Sequence, residues 1–219
     1  MDNELRAGYY PPLEEKLNVI SHGFGFALSI LGLLLLVFKA NEYGELKHLV
    51  SFSIFGASLI LLYAASTFYH SAKSPRLRYR LNILDHASIY VLIAGTYTPY
   101  ALVTLHGVVG WSIFGVVWTL AVIGVILKLF YTGRYNLFST AMYVLMGWII
   151  VFAIKPLYDS LDPMGLTWLF IGGISYTLGA VFFILDKIKY NHAIFHLFVL
   201  MGSFSHFISI YYYVLPGTL

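Results

Sequence analysis

Read by hydropathy, the 219-residue chain is a succession of seven apolar runs separated by short polar links. The runs fall at about Leu17–Phe38, His48–His70, Ile83–Val103, Val108–Phe130, Leu137–Ile154, Leu166–Leu185 and His192–Val214. Several approach the roughly 20 residues that an α-helix needs to cross a bilayer; the fifth is the shortest. The pattern predicts an all-α membrane protein in which residues 1–16 form a short polar segment and 17–219 one seven-helix transmembrane domain. The tight Leu105-His106-Gly107 turn makes the third and fourth helices antiparallel neighbours. The first run is longer than a signal-peptide core and follows a polar head containing Pro11-Pro12, so it is expected to be retained.

Composition agrees. Hydrophobic residues make up 59% and charged residues 11%, against roughly 25% charged in soluble domains. Cysteine is absent, which excludes disulfides and thiolate chemistry and leaves His, Asp and Glu as metal ligands. The net charge of +3 is small, and the basic residues sit in short links, which gives no support to nucleic-acid binding. Their distribution predicts an orientation. Arg6, Lys16, Lys73, Arg76, Arg78, Arg80, Lys128, Arg134, Lys187 and Lys189 fall at one end, and Lys39, Lys47 and Lys155 at the other. Ten against three places the N-terminus in the cytoplasm and the C-terminus outside.

That topology gathers unusual polar residues in one cytoplasmic layer. His192 and His196 are four apart, one helical turn above each other on a single face, a spacing at which two imidazoles can hold one ion. His70 ends the second run and Asp85 opens the third. Three histidines would give a zinc ion three protein ligands and leave a position for water. Asp85 could then ligate directly or, as favoured here, orient that water; the plainer reading is an N-cap on the third helix. Ser66 shares a helix face with His70 and either bonds into the site or back to its own helix. His22 and His86 are candidates for supporting the ligands. His206, ten residues beyond His196 and so about 15 Å away, is a candidate cavity residue. His48 and His106 belong to the outer side.

Elsewhere the sequence suggests packing. Gly172, Gly173, Ser175 and Gly179 mark a close helix contact on the sixth run. Pro99 should kink the third helix and open space toward the outer half. Trp111 and Tyr211-Tyr212-Tyr213 suit the membrane interface, as do Tyr9 and Tyr10.

With these residues in place, the chain resembles the haemolysin III family, the bacterial branch of the progestin and adiponectin receptor group, related to alkaline ceramidases. The resemblance is carried by Glu15 with Asn18 and Ser21-His22-Gly23, Ser66-Thr67-Phe68-Tyr69-His70, Leu84-Asp85-His86, Gly95 through Pro99, His192-Ala193-Ile194-Phe195-His196 and His206-Phe207. It implies a multi-pass protein of the bacterial inner membrane with zinc on His70, His192 and His196, Asp85 contacting the zinc water and Ser66 nearby. It also implies hydrolysis of a lipid amide. The long N-terminal region of the animal receptors has no counterpart here, so no protein hormone is expected as a partner.

Two functions follow as expectations. One is a zinc-dependent hydrolase of a membrane lipid amide or ester, with Asp85 as general base and Ser66 stabilising the oxyanion. The other is a non-enzymatic membrane-homeostasis or cytolytic protein with a structural zinc. An ion pathway through His206 ranks last, because few acidic residues lie mid-membrane.

Overall fold

A computed structural model describes residues 8–105 and 107–215, which include no strand. Seven helices are long and apolar enough to cross a membrane. They are α1 (Pro12–Tyr43), α2 (Leu46–Ser71), α3 (Pro75–Pro99), α4 (Gly107–Tyr131), α5 (spanning Asn136–Ser160), α6 (Pro163–Ile184) and α7 (Asn191–Ser209). His106 lies outside the described residues.

Several boundaries differ from the hydropathy reading, for identifiable reasons. Three helices begin at proline: Pro12, Pro75 and Pro163. At the first helical position proline's missing N–H costs nothing, and its fixed φ favours the turn. In α3 the polar stretch from Pro75 to Asn82 is therefore helical although it is not apolar. Asp85 consequently lies ten residues into α3 instead of at its start, so the N-cap reading is excluded. His48 is also not a simple interfacial side chain. It is buried, and its Nδ1 accepts the Glu45 N–H at 2.9 Å in a capping box at the start of α2.

Three spanning helices change pitch along their length, α7 by running on as a π-helical turn over Ile210–Val214. α3 closes at Pro99, but the span does not stop there; the chain continues as a π-helical turn over Tyr100–Leu105, a local adjustment that accommodates the lost donor. α5 breaks after Gly147 into a 3-10 segment, Ile149–Ala153, then resumes over Ile154–Ser160. Tyr97 serves this break: its hydroxyl donates to Gly147 O at 2.7 Å and accepts from Ile150 N–H at 2.9 Å. Backbone groups that the break frees are thereby paired, as an apolar setting requires.

The sequential pairs α1–α2, α2–α3, α3–α4 and α6–α7 are neighbours, and α1 also packs on α7. This last contact places the site, because α1 touches both the end of α2 and the start of α7. Its buried face runs Glu14, Asn18, His22, Gly25 and Ser29 at helical spacing. The small residues permit close approach. A Cβ on Gly25 would sit 2.7 Å from the Tyr63 ring, and one on Gly172 would sit 2.7 Å from His206 Nε2. The sixth helix thus packs as its glycines suggested.

Candidate metal centre

His70 is the penultimate residue of α2, while His192 and His196 occupy the first two turns of α7. The α7 start is fixed by Tyr190 in the left-handed region (φ 61°) and by Glu14, whose carboxylate accepts the His192 N–H at 3.2 Å. A carboxylate is favoured at that positive end of a helix. All three rings are buried, at 4%, 4% and 1% exposure for His70, His192 and His196. Their Nε2 atoms converge: His70 to His192 is 3.1 Å, and His192 to His196 is 3.1 Å.

These residues could hold a metal ion. The corners of a tetrahedron around an ion with Zn–N bonds of ~2.0–2.1 Å lie roughly 3.3 Å apart. The outward nitrogens set the tautomers. His70 Nδ1 lies 2.7 Å from Glu15 Oε2, an acceptor, so Nδ1 carries the proton. Ser21 spends its hydroxyl proton on Asn18 O at 3.1 Å, so its oxygen accepts from His196 Nδ1 at 3.3 Å. Tyr10 OH lies 3.0 Å from His192 Nδ1 and its ring stacks on that imidazole at 4.3 Å. His70 and His196 thus turn Nε2 lone pairs to the centre, where His192 Nε2 meets both, an arrangement that a cation suits. The donor set fits a metal.

Around the triad is a ring of partners that sequence reasoning placed elsewhere or used only for resemblance. Glu15 also pairs with Arg78, which is buried at 2% exposure. Arg78 donates to Gly8 O from Nη2 at 2.8 Å and from Nε at 3.1 Å, and Tyr69 OH donates to the same carbonyl at 2.9 Å. The guanidinium carbon lies 4.4 Å from the Tyr9 ring centre and 4.6 Å from that of Tyr69. Residues 8–10 therefore form a strap across the triad. Burial, reinforced by nearby acidic groups, pushes the Tyr10 phenol above its usual range and keeps it protonated. Tyr10 thus contacts a candidate ligand instead of acting only as an interface anchor, and Arg78 is not a loop charge.

The other candidates divide. His22 stacks on His196 with ring centres 3.5 Å apart and planes 7° from parallel, and its Nδ1 lies 2.7 Å from Ser66 Oγ. Asp85 is not part of the nitrogen cluster. It lines a cavity beside the triad together with Ser66, His22 and His86. His86 turns its Nδ1–H to Asn82 O at 2.9 Å and its ring lies 3.8 Å from Asp85 Oδ2. The same cavity runs toward Tyr97, Tyr100 and His206, between largely apolar walls from α2, α3, α5, α6 and α7. His206 is thus a cavity residue remote from the triad. Lys128, counted by sequence as an end charge, is buried on α4 and lines the cavity too. Only its position near a helix end hinted at anything, and that hint pointed to solvent.

Fold and site together define a multi-pass integral membrane protein with a buried tri-histidine cluster opening on an apolar cavity. The family model for Haemolysin-III related proteins matches residues 11–207, and the chain belongs to that family. It is 47% identical over 203 residues to Hemolysin-3 of Bacillus cereus, covering 93% of each chain. Identity to the Hemolysin-3 homolog of Bacillus subtilis (strain 168) is 46% over 200 residues, covering 91% of this chain and 94% of that one. The human Monocyte to macrophage differentiation factor is 29% identical over 215 residues, 94% of this chain and 88% of that one.

Proposed function

We propose that the protein is a zinc-dependent hydrolase of a membrane lipid amide or ester, with the triad at the cytoplasmic side of a bacterial inner membrane. The observation that carries this reading is a three-nitrogen site whose neighbouring cavity presents a carboxylate, Asp85, and a hydroxyl, Ser66, that do not join the ligand set. Three imidazoles without thiolates suit zinc, and the long apolar cavity suits an acyl chain. When bound, zinc would polarise a carbonyl and ease deprotonation of an attacking water.

The chain's own groups supply the remainder. Asp85 takes the proton from the attacking water as general base and delivers it to the leaving amine or alkoxide. The C–O bond to water forms as the C–N or C–O bond to the leaving group breaks, giving a carboxylic acid and an amine or alcohol. Ser66, hydrogen-bonded to His22, faces the cavity where the carbonyl oxygen gains charge. Glu15, Ser21 and Tyr10 orient the three rings through their outer nitrogens.

A second reading keeps the zinc as a clamp between α2 and α7 in a non-enzymatic, cytolytic protein. The names of the two Bacillus relatives favour it. Metal analysis with a lipid amide and ester hydrolysis screen separates the two. Under the hydrolase reading wild type holds about one zinc per chain and turns over a lipid, and Asp85→Asn keeps zinc while losing turnover. Zinc without turnover of any lipid, together with lysis of erythrocytes or liposomes, selects the clamp.

A further inference from the structure

Among the described residues three cations are buried: Lys39, Arg78 and Lys128. Two have acceptors. Lys39 Nζ donates to Tyr211 O at 2.5 Å, and Arg78 bonds Glu15 and Gly8 O. Lys128 is 3% exposed, yet its ammonium has no hydrogen bond or ion pair among the described residues; it lies 5.9 Å from the Tyr143 ring centre and feels the Asp85 carboxylate only at longer range. A buried ammonium without an acceptor is costly. Lys128 is also the one Lys or Arg among the cavity-lining residues. Asp85 lines the same cavity and attracts Lys128, but the two form no direct ion pair, so the ammonium keeps its hydrogen-bonding positions open to a ligand.

A second feature points the same way. The N-terminus of α5 has no side-chain cap, and its first residue, Asn136, lines the same cavity as Lys128. Ser139 and Thr140, in the next turn, spend their hydroxyl protons on Tyr135 O at 3.0 Å and Asn136 O at 2.8 Å. Neither caps the helix's first N–H groups, which stay open to a ligand. Such an end attracts an anion. Asn136 and Phe183 also line the adjoining surface pocket formed with Tyr10, Glu14 and Asn191, so this corner leads out of the bundle.

We propose that Lys128 and the N-terminus of α5 form an anion subsite beside the metal centre, which takes the oxyanion of a lipid headgroup, a phosphate or a carboxylate. Building on the hydrolase reading, this makes the substrate an anionic acyl lipid. The headgroup sits at Lys128, the carbonyl at the triad, and the acyl chain runs along the apolar walls toward His206. Lys128 acts as a specificity-determining residue and takes no proton in the reaction.

Trp148 lines the cavity, so binding of brominated acyl chains can be followed by quenching of its fluorescence. The probes are a lysophosphatidic acid and the monoacylglycerol with the same brominated chain, added to purified protein in neutral detergent. Wild type should bind the phosphate-bearing probe about tenfold more tightly, the scale of one charge-assisted contact. Lys128→Met and Lys128→Gln should bring the two probes level, and Lys128→Arg should preserve the ratio. The ratio should also survive in His196→Ala, where the metal site is broken. Should both neutral variants keep the wild-type ratio, or should it vanish in His196→Ala alone, Lys128 is not the anion's partner. Inorganic phosphate competing as strongly as the lipid would overturn the headgroup assignment. Binding is read without turnover: a hydrolysis screen that fails while the ratio persists sinks the hydrolase reading and leaves the subsite standing.

Discussion

The two ends of α7 carry buried histidines in opposite circumstances. At the start of the helix, His192 and His196 meet His70, and every outward ring nitrogen has a partner from α1 or the strap. Toward the other end, His206 is equally inaccessible at 7% exposure, but its Nδ1 has no partner, its ring stacks on Tyr176 at 5.5 Å, and Gly172 makes room for it. Depth in an apolar bundle does not distinguish them. What does is that the first set is held from outside through its Nδ1 atoms, so that the Nε2 atoms point inward together. The second is a packed ring with a polar edge.

The comparison can be broken most forcefully at the ligands. His192→Ala or His196→Ala should drop metal content, measured by mass spectrometry on purified protein, from about one ion per chain to a small fraction, whereas His206→Leu should leave it unchanged. Next in size is Asp85→Asn, which should retain the ion and lose at least about 10²-fold in hydrolysis, the usual scale for a general base. Glu15→Gln and Arg78→Ala act on the outer nitrogen of His70; either should weaken metal affinity about 10–100-fold, read as faster capture by a chelator. Tyr10→Phe removes one neutral contact and should weaken it less. At the other end, Gly172→Ala drives a Cβ into His206 and should cost about 1–3 kcal/mol, seen as a thermal midpoint lowered by several degrees with metal content intact.

Much of this molecule was legible in its sequence because a bilayer imposes a simple code. Seven runs gave seven helices, and a four-residue spacing on one of them gave two converging rings. What escaped has a common cause. The start of α3 is polar, so hydropathy cut the helix short and moved Asp85 to a terminus it does not occupy. Arg78 and Lys128 were counted as end charges, since nothing in a linear string says that a cation turns inward to a carbonyl or a cavity. Tyr10 looked like an interface aromatic; its contact with His192 spans 182 residues, and no local pattern encodes it. The support of a site is tertiary even when its ligands are periodic.

The strap carries one more implication, for biosynthesis. Tyr10 and Glu15 leave the ribosome well before His192 and His196, yet all of them close around one point. No partly inserted chain has all three imidazoles together, so an ion held by them would be captured only once the final helix has been threaded, and enclosed only once residues 8–10 have folded over it. On the metal-binding proposal, occupancy would therefore record completed assembly, and a cell starved of the ion would accumulate bundles that are fully made but never locked.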